Sequence, residues 1–263
     1  MNSPSQMNSA IHFYKYQGTG NDFVMIDNRD KTFPRADLDL IAHLCDRRFG
    51  VGADGVILIE RHTDADFEMI YFNPDGSQSL CGNGSRCAVM FANYLGIIQD
   101  KTKFLAVDGI HEAYISKGKV HLLMHDVQSF EQIGEDFLID TGSPHYIKYV
   151  QQLDQKDMIK EGHAIRYSER FNEIGVNVNL IENTGQGLSI RTYERGVEAE
   201  TLSCGTGCTA AALAYGLTHD VQKVTLIAKG GELEVHFKRE QSGFKDIYLV
   251  GPAEAVFEGN ISV

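Results

Sequence analysis

Residues 80–84 read Leu-Cys-Gly-Asn-Gly, and residues 203–207 read Ser-Cys-Gly-Thr-Gly. The same cysteine-glycine turn therefore occurs twice, 123 residues apart, in a chain of 263. Other features recur around it at nearly the same offset. Gly-Thr-Gly at 18–20 matches Asp-Thr-Gly at 140–142, and Arg48-Phe49 matches Arg170-Phe171, each 122 residues on. The run ending Val-Asp-Gly at Gly109 matches the run ending Lys-Gly-Gly at Gly231, again at 122. Tyr71 stands ten residues before Cys81, and Tyr193 eleven before Cys204. Any one match is weak, but several in one order at one offset mark an internal repeat. Two equivalent halves packed about a pseudo-twofold axis are expected.

Within each half the local pattern agrees. Residues 67–73 and 187–194 alternate β-branched and aromatic residues with polar ones, as strands do. A polar turn follows each, then Cys-Gly-x-Gly, then a helix over about 84–95 or 206–217 that is apolar on nearly all sides and so buried. Strand-like runs follow at 117–126 and 231–240, while 151–165 is polar and reads as a linker or surface helix. The 26 glycines suit many tight turns between short strands. The expected fold is mixed α/β (α+β), with two pseudo-symmetric domains, each a largely antiparallel sheet curled around a central helix. The first would cover 10–128 and carry Cys81, with 255–263 returning to it. The second would cover 129–254 and carry Cys204. The active site would lie in the cleft between them and close around its ligand.

Composition narrows the function. The net charge is −12 and no lysine–arginine run occurs, which argues against nucleic acid as a partner. No apolar stretch reaches the ~18 residues of a membrane span. The N-terminal Met-Asn-Ser-Pro-Ser-Gln-Met is polar and lacks a signal core, so it reads as a tail with a second start at Met7, and the cytoplasm is the expected location. Five cysteines, an odd number, argue against a disulfide framework. The spacings Cys81-x5-Cys87 and Cys204-x3-Cys208 match no zinc pattern, so no metal is expected. Cys45, Cys87 and Cys208 read as small buried hydrophobes.

Cys81 and Cys204 differ because each stands at a helix start. The first N–H groups of a helix lack internal partners and, with the helix dipole, attract anions. Glycine lets a ligand approach the backbone, and a thiolate at such a position is stabilised, which lowers its pKa. Two such ends facing each other would place one thiol on either side of a carbon next to a carboxylate. One thiolate could remove the α-proton from one face while the other thiol protonates the opposite face. The helix ends would stabilise the intermediate anion. Against this stand a structural role for both turns, and a redox pair that cycles through a disulfide.

Longer motifs favour the epimerase chemistry. Residues 18–27 (GTGNDFVMID), 47–55 (RRFGVGADG), 71–87 (YFNPDGSQSLCGNGSRC), 175–179 (GVNVN) and 193–207 (YERGVEAETLSCGTG) resemble the diaminopimelate epimerase family, with the likeness running from about Phe13 to the end. The wider fold group includes proline racemase, hydroxyproline epimerase and a cysteine-free isomerase branch. The resemblance implies a cofactor-independent epimerase that interconverts LL- and meso-diaminopimelate for bacterial lysine and cell-wall precursor synthesis. It implies Cys81 and Cys204 as alternating acid and base, assisted by His145 and Glu194. It places the reacting carboxylate on the amides of Gly82, Asn83, Gly205 and Thr206. Asn21, Asn73, Asn177, Glu194 and Arg195 would hold the two amino-acid ends, with Arg195 suited to a bidentate grip on the distal carboxylate. Two positions depart from the family pattern. Ser143 stands where many members have asparagine, and Gly55 where some have glutamine. A homodimer is the expected assembly. A proline-racemase-like enzyme and a non-catalytic thiol redox or binding protein are the alternatives.

Overall fold

The repeat is visible element by element in a computed structural model that describes residues 10–185 and 187–262; Met7 and the rest of the tail lie outside the described residues. The first half runs β1 (Ala10–Gly18), β2 (Asn21–Asp27), α1 (Leu38–Cys45), β3 (Gly55–Glu60), β4 (Phe67–Phe72), α2 (Gly82–Tyr94), β5 (Lys101–Ala106), β6 (Gly109–Ser116) and β7 (Lys119–Leu123). After β8 (Phe130–Ile133) comes the second half. It runs β9 (Asp136–Asp140), β10 (Pro144–Tyr149), α3 (Met158–Arg166), β11 (Asn177–Asn183), β12 (Leu188–Glu194), a short β13 (Ala199–Thr201), α4 (Gly205–Thr218), β14 (Lys223–Ala228), β15 (Gly231–Arg239) and β16 (Phe244–Gly251). The chain closes with β17 (Glu254–Ser262).

The pairings repeat as well as the elements. β2 and β3 are parallel, as are β10 and β11. β3 and β4 are antiparallel, as are β11 and β12. β4 and β5 are parallel, as are β12 and β14. The hairpins β5–β6 and β14–β15 turn at Gly109 and Gly231, with φ of 132° and 140°, and the matched Gly20 and Gly142 have φ of 85° and 100°. These are conformations that only glycine adopts without strain, so the glycine matches in the sequence are matches of backbone geometry.

Strand pairings join the halves in two ways among the described residues. β7 and β16, which are equivalent strands, pair antiparallel, Val120 opposite Gly251 and Leu123 opposite Tyr248. An antiparallel pair of equivalent strands is what a twofold axis between them produces. β17 pairs with β1 from Ala10 to Gln17, as β8 pairs with β9, so the strand that trails each half completes the leading strand of the other.

Each half is centred on one helix. In α2, Cys87, Ala88, Val89, Phe91 and Ala92 are wholly buried, and in α4 so are Cys208 and Ala210 to Ala214. Alanine is the best helix former, and its small side chain lets the sheet close on every side of α4. At Gly216 a Cβ would lie 2.6 Å from the Phe237 ring. α1 and α3 cover separate apolar clusters on the outer faces, α1 through Leu40, Ile41 and Leu44, α3 over Val178, Leu180 and Tyr193.

Three details differ from the sequence-based expectation. Both central helices begin directly after the cysteine, because the cysteine itself is the N-cap. The run at 117–126 is the counterpart of β16, and β6, which the strand pattern did not single out, is the counterpart of β15. Arg48-Phe49 matches Arg170-Phe171 in sequence but not in environment, since Phe49 is 79% exposed and Phe171 is buried.

Candidate active site

Cys81 caps α2 with extended backbone (φ −133°, ψ 113°), and its Sγ accepts from the Gly84 N–H at 3.4 Å. Cys204 caps α4 with the same extended backbone (φ −113°, ψ 111°) but without a side-chain cap bond, and its Sγ lies 3.4 Å from Thr206 Oγ1. The first bonds from the helices back to these caps are Ser85 N–H to Cys81 O (2.7 Å) and Cys208 N–H to Cys204 O (2.8 Å). The N–H groups of Gly82, Asn83, Gly205 and Thr206 precede them and belong to the unpaired first turn. The two helix ends converge. A Cβ on Gly205 would lie 3.9 Å from Gly82 Cα and 3.8 Å from Asn83 Oδ1, with Leu249 beneath both glycines.

Asn83 ties the ends together. Its Nδ2 donates to Ser203 O across the interface of the halves (3.1 Å), and its Oδ1 accepts from Arg86 (3.0 Å). Arg86 is wholly buried, and its other acceptors, Thr19 Oγ1 (3.2 Å), Pro252 O (3.3 Å) and Gly82 O (3.5 Å), are neutral. A guanidinium buried among uncharged groups is costly, and it adds positive potential behind two helix N-termini that are already positive.

Around the helix ends lie two adjoining pockets of about 620 Å³ each. Asn21, Asp54, Tyr71 and Asn73 line the first with Cys81. Thr141, Ser143, Asn177, Arg195 and Thr206 line the second with Cys204. Leu80 and Glu194 face both. In the first pocket, Asn21 donates Nδ2 to Asp54 and turns Oδ1 toward Cys81 Sγ and Asn83 Nδ2, each at 3.4 Å. Asp54 is held in turn by Arg47. Asn73 forms the turn before Cys81, accepting from Gly76 N–H, and also presents its side chain to Tyr71, Ser77 and Ser79.

In the second pocket, Asn177 Oδ1 accepts from the Arg195 N–H (3.0 Å), and its Nδ2 donates to Ser143 Oγ (2.8 Å). The departure at Ser143 is thus absorbed by Asn177, which the hydroxyl holds in place. Arg195 donates one guanidinium N–H to Ile174 O (3.0 Å). Glu194 is half-buried and accepts from Thr201 Oγ1 (2.6 Å). His145 is wholly buried; its Nε2 lies 2.9 Å from Thr206 Oγ1 and its Nδ1 3.1 Å from Asn179 Nδ2, so it meets Cys204 through a hydroxyl.

The thiols are not acidic, contrary to the expectation from helix position. Burial pushes Cys81 up to about 11 against the pull of the Gly84 and Asn83 N–H groups. Burial and then the Glu194 charge push Cys204 well up, against the Thr206 hydroxyl and the Gly207 N–H. Desolvation of the charged form outweighs a helix end worth about 0.3–1 kcal/mol. Glu194 is itself raised by burial, opposed by hydrogen bonds from Thr201 and Cys204. A glutamate with a raised pKa beside a thiol is suited to accept that thiol's proton. Burial, aided by the Arg195 charge, pushes His145 down to about 3 and keeps it neutral.

The motif-based reading did not single out Asp54, Tyr71 and Asn179. Gly55 explains Tyr71. A Cβ there would lie 2.4 Å from the Tyr71 ring and 2.5 Å from Phe72 O, so the tyrosine occupies the side-chain space at position 55. Its hydroxyl donates to Asn73 Oδ1 at 2.8 Å. Asn179 carried a signal in Asn-Val-Asn at 177–179, since residues two apart on a strand share a face.

Paired cysteine-capped helices meeting across a pseudo-twofold junction define an isomerase of the racemase and epimerase type. The family model described as diaminopimelate epimerase matches residues 13–126 and 137–256, one piece for each half. Diaminopimelate epimerase of Flavobacterium psychrophilum is 50% identical, over 95% of this chain and 100% of its own, and that of Aquifex aeolicus 38%, over 96% and 98%. The crystal structure of a PhzF-family phenazine biosynthesis protein from Bacillus anthracis shares the fold with a TM-score of 0.78 at 14% identity, covering 97% of this chain and 100% of that one. A probable proline racemase from Agrobacterium radiobacter gives 0.67 at 17% identity, covering 96% and 93%. The chain belongs to the diaminopimelate epimerase family.

Proposed function

We infer that this chain is a diaminopimelate epimerase that inverts one α-carbon by proton transfer between Cys81 and Cys204. The observation that carries the mechanism is the convergence of two cysteine-capped helix N-termini on one cleft. The α-carboxylate sits on the N–H groups of Gly82, Asn83, Gly205 and Thr206. One thiolate takes the α-proton, the resulting anion is held by those N–H groups with Arg86 behind them, and the opposite thiol protonates the other face. One turnover therefore leaves the two thiols with exchanged protonation. Glu194 accepts the proton that Cys204 gives up in becoming a base, and Asn21 Oδ1 is the acceptor nearest Cys81. Asn73, Asn177, Glu194 and Arg195 hold the ammonium and carboxylate groups of the substrate. Closure of the two halves around the substrate would exclude water and strengthen every one of these contacts.

The domains are taken as 10–128 with 255–263, and 129–254. That division is supported by the pairing of β17 with β1. A cytoplasmic homodimer is the proposed setting, and sedimentation tests the assembly. No helix among the described residues is long and apolar enough to cross a membrane.

The deciding experiment incubates reduced protein with LL-diaminopimelate in deuterium oxide and follows the α-proton by NMR, beside Cys81→Ala and Cys204→Ala. Deuterium should enter as the meso isomer forms, and either substitution should abolish epimerisation. Epimerisation surviving in either variant would overturn the two-thiol assignment. No exchange in the unmutated protein would remove the substrate, and proline would be tested next.

A further inference from the structure

Asn179 lies outside both pockets, is wholly buried, and has a fixed amide orientation. Its Nδ2 faces two backbone carbonyls, Tyr146 O at 3.3 Å and Asn177 O at 3.5 Å, where an amide oxygen would be repelled. Its Oδ1 accepts from Thr192 Oγ1 at 2.9 Å. With Nδ2 a donor, His145 Nδ1 at 3.1 Å has to be an acceptor. A neutral imidazole that accepts at Nδ1 carries its hydrogen on Nε2. Burial without a facing carboxylate keeps the ring neutral, with its pKa down at about 3. Nε2–H therefore donates to Thr206 Oγ1 at 2.9 Å, and the hydroxyl hydrogen of Thr206 is left to point at Cys204 Sγ, 3.4 Å away.

We propose that Asn179 is a positioning residue of the epimerase site: by fixing the tautomer of His145 it orients a hydrogen-bond chain, Thr192 to Asn179 to His145 to Thr206, that ends as a donor to Cys204 Sγ and favours its thiolate. Among the described residues no side-chain donor bonds Cys81 Sγ, which donates to Asn21 Oδ1 at 3.4 Å. The two thiols are thus met differently despite the repeat: Cys204 Sγ by a side-chain hydroxyl, Cys81 Sγ by the Gly84 N–H of its own helix. Space at Gly207 is part of the arrangement. A Cβ there would lie 2.4 Å from Asn179 Oδ1 and 3.3 Å from His145 Cε1, so only glycine admits the chain beneath the helix end. The charged and titratable groups facing Cys204 are Glu194 and Arg195 at the end of β12, Cys208 on α4, and Asp108, His111 and His125 across the pocket.

The inference rests on Cys204 being a reacting thiol, but its test does not need turnover. In the unmutated protein, ¹⁵N NMR of His145, assigned against His145→Gln, should show a neutral ring protonated at Nε2 that does not titrate between pH 5 and 9. A ring protonated at Nδ1, or one that titrates in that window, would overturn the proposal. Iodoacetamide labelling of Cys204 in a Cys81→Ala background gives its pH midpoint, and labelling of Cys81 in a Cys204→Ala background is the control. Asn179→Leu should release the tautomer and raise the Cys204 midpoint by about 1–2 pH units, the effect of losing one hydrogen bond to a charged acceptor, while the Cys81 midpoint stays in place. Thr206→Val, at a half-buried position, should raise the Cys204 midpoint equally and leave the tautomer unchanged. An unmoved Cys204 midpoint in either variant, or an equal rise at Cys81, would refute the chain. Epimerisation by Cys204→Ala would instead defeat the two-thiol reading and leave the tautomer result intact.

Discussion

Replacing Asn83 by alanine should destabilise the protein and disable the site together, because one amide joins the two halves at the reaction centre. Three interactions are lost, the weakest a long 3.4 Å contact with Asn21 Oδ1 that adds little. The Nδ2 bond to Ser203 O, at 3.1 Å between buried groups, is worth about 1 kcal/mol net. The Oδ1 bond to Arg86, at 3.0 Å, involves a wholly buried guanidinium with no carboxylate partner among the described residues, and hydrogen bonds to charged groups are worth about 1.5–3 kcal/mol. The sum is roughly 3 kcal/mol. An unfolding entropy of about 2.1 cal/mol/K per residue makes this a fall in Tm of about 5 °C for a chain this long. Asn83→Asp separates the two losses. Its carboxylate keeps Arg86, now as an ion pair, but sets an oxygen against Ser203 O and a negative charge beside the substrate carboxylate. Asp should therefore melt above Ala while showing the lower kcat/KM. Thermal unfolding by circular dichroism and the deuterium-exchange assay read the two effects. An alanine variant that melts within about 1 °C of the parent would show that Arg86 needs no partner at 83, and the account of how the helix ends are joined would fail.

Because burial raises both thiols, Cys81 to about 11, the thiolate is scarce at neutral pH, and kcat/KM should climb about tenfold per unit from pH 7 toward 9; a flat profile over that range would mean the free enzyme already holds its base ionised. Cys45, raised to about 11 by burial, contributes stability that is complete below its unfolded value of about 9 and lost as pH rises toward 11, so Cys45→Ala should flatten the alkaline fall in Tm measured from pH 8 to 11. Gly55→Ala should cost about 2 kcal/mol in urea unfolding, since the new Cβ meets the Phe72 carbonyl oxygen at 2.5 Å within the β3–β4 ladder; an unchanged midpoint would show that the strands can spread.

Sequence alone settled the architecture because a repeat is a statement about distances along the chain. The offset of 122 between Gly109 and Gly231 is also an offset between two backbone turns, and that between Cys81 and Cys204 is the offset between two helix caps. Asn21, Asn73, Asn177, Glu194 and Arg195 line the two pockets at the helix ends, since each belongs to a short run whose strand or turn position is local. What only the tertiary structure decided is everything that depends on burial and on contacts between distant strands. The rise of both thiol pKa values comes from water excluded by packing, which no local pattern records. The meaning of Gly55 depends on Tyr71 from the neighbouring strand, and that of Ser143 on Asn177 across a parallel pair. In the sequence Asn179 shows only as the second asparagine of the Asn-Val-Asn run. Its place behind His145 arises because β10, β11 and β12 lie side by side with the first turn of α4 above them, and a hydrogen-bond chain through four elements exists only once they are packed.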